Sequence, residues 1–197
     1  MTLALSLGQR SQGCVWPNPA VGCIIVQGSR IVGRGWTQPG GRPHAEAMAL
    51  QQAGALAQRA TAFVTLEPCA HHGATPPCAD ALIAAGIARC VVAIADPDPR
   101  VSGKGISKLQ EARIEVNVGC QGQKALVAHR GFFNRLQNGR PRVTLKLATT
   151  FDGRIATASG ESQWITGFEA RRDVHGLRAC HDAVMVGGGT ARADNPN

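Results

Sequence analysis

The 197-residue sequence contains no tyrosine, and its other aromatic residues are few, with five phenylalanines and three tryptophans. Proteins that bind single-stranded nucleic acids stack bases on aromatic side chains, and this chain is poorly supplied with them. It has no apolar run of the roughly 18 residues that span a bilayer. Its N-terminal stretch MTLALSLGQRSQG lacks the basic start and small-residue cleavage site of a signal peptide. We therefore expect a cytosolic protein with no membrane partner.

Acidic residues are also scarce, with 13 Asp and Glu against 21 Lys and Arg, which gives a formal net charge of +8. Such a charge predicts an anionic partner, either a nucleic acid or a phosphorylated small molecule. The basic residues are dispersed along the chain and form no dense cluster. Together with the few aromatic residues, this favours a phosphorylated metabolite as the partner.

The seven cysteines are odd in number and irregularly spaced, so a disulfide framework is not expected in a reducing compartment. Cys23 and Cys90 lie in the apolar runs VGCIIV and RCVVAIA and are predicted to be small buried residues. Cys14, Cys120 and Cys180 have no partner at ligand spacing.

Residues 1–139 read as alternating helices and strands, which predicts an α/β domain with helices on both faces of a sheet. The turn at Gly28-Ser29 predicts a hairpin between AVGCIIVQ and RIVGRGW. At NGRPR the pattern restarts, with VTLKLATT and DAVMV as predicted strands. Residues 140–197 are fewer than a domain usually needs, so we expect them to form an incomplete second unit.

Two short stretches bring together residue types that bind zinc. TLEPCAHHGATPPC supplies the thiols of Cys69 and Cys78, and Cys78 opens a predicted helix whose free N–H groups favour a thiolate. Upstream, PHAE places His44 at a helix start with Glu46 two positions on. Catalytic zinc commonly has three protein ligands and an open position for water. His44, Cys69 and Cys78 are the predicted ligands, and Glu46 is predicted to move that water's proton to a leaving group.

Alternatives to this assignment remain open from the residues alone. His71 and His72 lie between the two cysteines and could compete as ligands or face the substrate. The zinc could also be structural, in a module that binds nucleic acid. A carboxylate beside the metal that is not a ligand favours catalysis, because a structural site has no use for it.

Several motifs together resemble a known family: PNPAVGCIIV, PHAE, TLEPCAHHGATPPCADALI, DPDPRVSGKG and GFFNRL. They are similar to the deaminase half of the bifunctional riboflavin-biosynthesis deaminase/reductase. The resemblance implies a three-layer, cytidine-deaminase-like domain over residues 1–139, with the zinc ligands and proton shuttle named above. Its long loop between the cysteines distinguishes that family from nucleic-acid deaminases acting on cytidine or tRNA adenosine, which are the alternative reading.

The segment from VTLKLATT to ARADNP resembles the start of the family's NADPH-dependent reductase, a dihydrofolate-reductase-like α/β domain. We therefore expect a truncated reductase in residues 140–197. The resemblance places the following residues at NADPH-contacting positions: Ala148, Trp164, Thr190 and Asp194. It places Ser162 and Arg178 at substrate-contacting positions.

The resemblance also implies the chemistry. The substrate would be 2,5-diamino-6-ribosylamino-4(3H)-pyrimidinone 5′-phosphate, which loses its 2-amino group as ammonia. In the full-length family, NADPH then reduces the ribosyl group to ribityl. No nucleic-acid partner is implied, and relatives assemble into homo-oligomers.

At two positions the resemblance does not settle what the residue does. The family usually carries Lys or Arg where this chain has Ala74, so another cation, such as Arg100 or Lys104, is expected to hold more of the substrate phosphate. Asn18 in PNP resembles a base-recognition position of the family. An asparagine that holds a turn between two prolines is an equally good reading of it.

Overall fold

The computed structural model describes residues 1–73, 75–99 and 101–195, and the chain divides into two compact units, Met1–Arg142 and Val143–Asn197. Helices and strands alternate in the first unit, as the sequence predicts. In chain order they are α1 (Thr2–Gln9), β1 (Gly22–Gln27), β2 (Arg30–Trp36), α2 (Ala45–Ala53), β3 (Thr61–Val64), α3 (Cys78–Ala84), β4 (Arg89–Val92), α4 (Lys104–Glu111), β5 (Glu115–Val118) and α5 (Gly122–Asn138). Short 3₁₀ turns at Pro39–Gly41 and Gly54–Ala57 flank α2.

The five strands form one sheet in the order β2-β1-β3-β4-β5. β1 runs antiparallel to β2 and β3, whereas β3, β4 and β5 are parallel to one another. The predicted hairpin is confirmed, with Gly28 at a φ of 59° in the two-residue turn. The segments that follow β3 and β4 leave the same edge of the sheet, which is where ligands bind in open α/β folds.

Alternate residues of β1 pack on opposite faces of the sheet. Cys23 and Ile25 lie in the large core cluster shared with α2, α3 and α4. Ile24 packs with Ala4 and Leu7 of α1 on the opposite face, where α5 also lies. The result is three layers, as the sequence predicts, with the central sheet covered on both sides.

Two glycines of β2 allow α2 to lie directly on the sheet. A Cβ atom at Gly33 would stand 2.2 Å from the carbonyl oxygen of Ala49, and one at Gly35 would stand 2.0 Å from that of Ala45. No side chain fits at either distance. This close approach places the first turn of α2, with His44 and Glu46, against the sheet.

A buried histidine of α5 supports the end of β3. The Nε2 of His129 lies 3.2 Å from the carbonyl oxygen of Thr65 and therefore donates a hydrogen bond to it. Burial lowers the pKa of His129 to about 4, so the ring stays neutral at physiological pH. The Thr65 hydroxyl in turn accepts the backbone N–H of Gly22, which joins β1 to the same corner.

The second unit contains helices α6 (Phe168–Ala179) and α7 (Gly188–Asp194). The predicted strands VTLKLATT and DAVMV are not formed, and no strand occurs in the described residues of 143–195, so both predictions are wrong for this structure. A strand needs a neighbour for its backbone N–H and C=O groups, and apolar composition alone does not provide one. None of the side chains described in this unit is buried, so apolar residues such as Leu145 remain exposed.

Within the described residues, none of the helices has the length and apolar character needed to cross a membrane.

Candidate metal centre

Three chain segments converge at the carboxyl edge of the sheet. His44 is the N-cap of α2, with extended backbone at φ −71° and ψ 161°. Cys69 follows β3 in an irregular turn, and Cys78 is the first residue of α3. The backbone N–H of Cys78 donates to the Sγ of Cys69 at 3.3 Å, so the helix start holds the two sulfurs together.

The side chains of these residues form a compact donor cluster. His44 Nδ1 lies 3.3 Å from the Sγ of Cys78 and 3.7 Å from the Sγ of Cys69. The three ligand atoms all lie within 4.8 Å of one another. This is the one group of three or more metal-binding side chains found among the described residues, and it contains neither His71 nor His72.

The cluster fits a zinc ion by donor type and spacing. One imidazole nitrogen and two sulfurs are ligands that zinc favours, with bonds of about 2.0–2.3 Å. The edge of a tetrahedron with such bonds measures about 3.3–3.8 Å, close to the two nitrogen–sulfur separations. Nδ1 is the nitrogen of His44 that is aimed at the sulfurs. Nε2 is buried and has no hydrogen-bond partner in the described part of the chain.

The thiols of the two cysteines differ in pKa. A hydrogen bond from the Cys78 side chain lowers the pKa of Cys69 to about 4, and the same contact, together with burial, raises the pKa of Cys78. Hydrogen bonding to Cys69 raises the pKa of His44, an effect that burial and, to a smaller extent, the nearby positive charge of Arg42 oppose. The arrangement favours a thiolate at Cys69, and a bound metal ion would release the thiol proton of Cys78.

Glu46 lies in the first turn of α2 and is 3% exposed. Burial raises its pKa to about 7, and the negative charge of Cys69 adds to that rise. A hydrogen bond from the Cys78 side chain partly offsets it, which places the carboxyl group beside the cluster. Such a group can take up and release a proton near neutral pH.

The sequence analysis missed a second buried carboxylate at this edge, that of Glu67, which is 3% exposed. Its oxygens accept backbone N–H groups of the β4–α4 connection and of the first turn of α4. Oε2 accepts those of Asp96 at 3.2 Å and Gly103 at 3.0 Å, and Oε1 accepts those of Gly105 at 3.0 Å and Ile106 at 3.3 Å. Glu67 therefore fastens this segment to the turn that carries Cys69.

We expect Glu67→Gln to lower the free energy of unfolding by about 2–3 kcal/mol. The amide keeps one acceptor oxygen, but its NH₂ group faces backbone donors and leaves them unpaired in a buried place. Urea denaturation followed by circular dichroism measures the change. Glu111→Gln, an exposed carboxylate on α4, is the control and should stay within about 0.5 kcal/mol of the parent. Equal midpoints for the two variants would refute the role given to Glu67.

The loop between the two cysteines is contacted by Arg42, which precedes α2. The Arg42 Nη1 donates to the Oγ1 of Thr75. His71 is partly exposed, with a buried Nδ1 that has no hydrogen-bond partner among the described residues, and His72 is exposed. The sequence motif gave no signal for Arg42.

The amide of Asn18 donates to the carbonyl oxygen of Gly41 at 3.1 Å. A Cβ at Gly41 would stand 2.1 Å from the Nδ2 of Asn18, so the two residues fit closely. This contact fixes the chain three residues before His44. Both readings of Asn18, holding the turn between two prolines and base recognition, stay predictions.

Lys104 and Arg100 are the cations that the sequence analysis expects to hold the substrate phosphate. Lys104 is exposed, and its Nζ donates to the carbonyl oxygen of Pro99 at 3.1 Å. Arg100 and Ala74 lie outside the described residues.

In the second unit, Ser162 and Trp164 line one open groove of about 930 Å³, and the guanidinium carbon of Arg171 lies 4.3 Å from the Trp164 ring centroid. Trp164 is 69% exposed, so it is not a core residue. Ala148, Thr190 and Arg178 are not among the residues that line this groove. Asp194 ends α7, and its side chain lies outside the described part of the chain.

Comparison with protein families gives two matches. Residues 1–94 match the cytidine and deoxycytidylate deaminase zinc-binding region, and residues 141–197 match the RibD C-terminal domain.

The chain is similar over its whole length to riboflavin biosynthesis proteins RibD. It is 52% identical to that of Escherichia coli (strain K12) and 50% identical to that of Aquifex aeolicus, covering 53% and 55% of those proteins. The chain thus spans about half the length of the curated relatives it matches.

Solved structures show the same fold. A diaminohydroxyphosphoribosylaminopyrimidine deaminase/5-amino-6-(5-phosphoribosylamino)uracil reductase from Thermotoga maritima matches with a TM-score of 0.92 at 42% identity, over 100% of this chain and 56% of that one. The Aspergillus oryzae Rib2 deaminase in complex with DARIPP matches with a TM-score of 0.55 at 25% identity, over 68% of this chain and 90% of that one.

Proposed function

Because the chain belongs to the RibD family of riboflavin-biosynthesis proteins, we propose that its first unit is a zinc-dependent hydrolytic deaminase. The proposed substrate is 2,5-diamino-6-ribosylamino-4(3H)-pyrimidinone 5′-phosphate, and the products are 5-amino-6-(5-phosphoribosylamino)uracil and ammonia. The observation that carries this proposal is the cluster of His44, Cys69 and Cys78 with the buried carboxyl group of Glu46 beside it.

The three clustered side chains would hold the zinc ion. When bound, zinc supplies a Lewis acid that makes water a competent nucleophile near neutral pH. Glu46 stands in the first turn of α2, outside the donor cluster, so its carboxylate is free to handle protons. A structural zinc site would gain nothing from burying such a group at its side.

Glu46 performs the proton transfers of the reaction. It takes a proton from water as the water oxygen bonds to C2 of the pyrimidine, and it delivers that proton to a ring nitrogen. It then takes the proton of the new C2 hydroxyl and passes it to the 2-amino group. The C2–N bond breaks, the C2 carbonyl forms and ammonia leaves. Its pKa near 7 suits a group that alternates between base and acid.

For residues 140–197 we propose a part in NADPH-dependent reduction, supported by the match to the RibD C-terminal domain. The proposed cofactor contacts are Ala148, Trp164, Thr190 and Asp194. The proposed substrate contacts are Ser162 and Arg178. Ser162 and Trp164 line the same groove, which supports placing the two residues in one binding site.

We also propose that the protein is a homo-oligomer of the reducing cytosol. All seven cysteines are free, including the half-buried Cys69. Exposed apolar side chains on α5 and β5, those of Leu126, Val127 and Val118, offer surface for contact between copies. Light scattering of the purified protein measures its mass in solution.

The proposed activity is tested by ammonia release from zinc-loaded protein, measured with a coupled glutamate dehydrogenase assay. We expect turnover of the phosphorylated diaminopyrimidine and no comparable release from cytidine, deoxycytidylate or a tRNA anticodon stem-loop. Release from one of these and not from the diaminopyrimidine would replace the proposed substrate.

A further inference from the structure

Arg42 reaches from the start of α2 into the loop between the two cysteines. Its Nη1 donates to the Thr75 hydroxyl, and a methyl group at Gly73 would stand 3.0 Å from its Nη2. The guanidinium therefore lies against the loop on both sides of position 74. It is only two residues from His44 in sequence, so this charge lies at the rim of the metal centre.

The guanidinium has donors left for a ligand. The ion pairs found among the described residues join Arg89 to Glu115, Lys108 to Asp80 and Arg172 to Glu169, and none of them includes Arg42. A guanidinium has five N–H donors in a planar fork, and the Thr75 hydroxyl occupies only part of it. Among the described residues the Arg42 charge has no carboxylate partner, which leaves it open to an external anion.

The surrounding loop has no other source of fixed positive charge. Residues 69–78 contain neither lysine nor arginine. A phosphate monoester carries about −1.5 to −2 charges at neutral pH and accepts two parallel N–H bonds from a guanidinium. We propose that Arg42, together with the Thr75 hydroxyl, binds the 5′-phosphate of the substrate. This inference rests on the proposed deaminase function.

Removing the charge should weaken binding of the phosphorylated substrate specifically. We expect Arg42→Gln to raise the KM for the phosphorylated diaminopyrimidine by about 10- to 100-fold, the range for a lost charge-assisted hydrogen bond. The kcat should change by less than about threefold, because the phosphate contact is the same in the ground and transition states. The KM for the dephosphorylated substrate should not change.

Matched variants separate phosphate binding from a role in holding the loop. Thr75→Ala removes the intramolecular contact but keeps the charge, so its KM should rise far less than that of Arg42→Gln. Lys124→Gln removes the charge of an exposed lysine on α5 and should leave KM unchanged. Lys104→Gln tests the other cation expected to hold the phosphate, and it should raise KM far less than Arg42→Gln. Adding Ala74→Lys to Arg42→Gln should restore much of the affinity, because it returns a cation to the same part of the loop.

Three results would overturn the proposal. These are an equal KM rise for the phosphorylated and dephosphorylated substrates, an unchanged KM in Arg42→Gln, and a KM rise in Lys104→Gln as large as that expected for Arg42→Gln. The first would make Arg42 a support for the loop, and the last would move phosphate binding to Lys104.

A binding measurement tests the phosphate contact of Arg42 separately from the proposed reaction. Calorimetric titration with the phosphorylated diaminopyrimidine in the Glu46→Gln background gives Kd without turnover. Adding Arg42→Gln should weaken this Kd by the same factor as it raises KM. If the unaltered protein released no ammonia, the proposed reaction would fail, and a Kd unaffected by Arg42→Gln would independently refute the phosphate contact.

Discussion

Glu46→Gln is expected to reduce the rate of ammonia release by about 10²- to 10⁴-fold, the range for removal of a positioned acid–base group. Glutamine preserves the size of the side chain but cannot accept and return the water proton. Because Glu46 is not one of the three clustered donors, the variant should bind as much zinc as the parent.

Ammonia release and zinc content are measured on the same preparation of each variant. Glu111→Gln, the exposed carboxylate of α4, serves as the control and should retain full activity. Loss of zinc from Glu46→Gln would show that Glu46 is a ligand. Retained activity with retained zinc would remove it from the mechanism.

The second large effect is expected for the metal itself. Cys78→Ala removes one of the three donors. Loss of a residue that only supports a ligand weakens metal binding by about 10- to 100-fold, so loss of the ligand itself should weaken zinc binding by more than that. Zinc should then be lost on gel filtration against a mild chelator, and ammonia release should fall with it. Metal analysis of the eluted protein measures the zinc-to-chain ratio.

Cys90→Ala is the matched control, because Cys90 is also buried but lies in β4 outside the donor cluster. It should keep its zinc. Undiminished zinc in Cys78→Ala would contradict the ligand assignment, whereas zinc loss from both variants would point to a general defect in folding.

Much of the first unit could be predicted from the sequence because its signals are local. The apolar runs of β1, β3 and β4 and the turn at Gly28-Ser29 each specify their own structure. The grouping of His44, Cys69 and Cys78 was predictable for a related reason. His44 and Cys78 lie at helix starts and Cys69 lies in the turn that follows β3, and an open α/β sheet gathers such positions at one edge.

Other features depend on contacts between distant segments, which no local pattern reveals. Glu67 sits in the recognisable run EPC, yet its partners are backbone N–H groups some thirty to forty positions later, at Asp96 to Ile106. Arg42 reads as an ordinary basic residue before a proline, and its contact with Thr75 appears only when the loop folds back.

The predictions of strands at 143–150 and 182–186 were wrong because they rested on local composition alone. The apolar composition of these segments favours extended chain, but a strand is completed by hydrogen bonds to a neighbour. No such neighbour is present in the described residues of this unit, and side chains such as Val143 and Val184 remain exposed.

The most direct test of the account is the origin of the oxygen in the product. The zinc-loaded protein is incubated with the phosphorylated diaminopyrimidine in ¹⁸O-labelled water, and the product is examined by mass spectrometry while ammonia is counted. Hydrolytic deamination predicts one labelled oxygen at C2 for each ammonia released, with both signals lost in Glu46→Gln. Ammonia release without incorporation of the label, or labelled product formed equally well without Glu46, would contradict it.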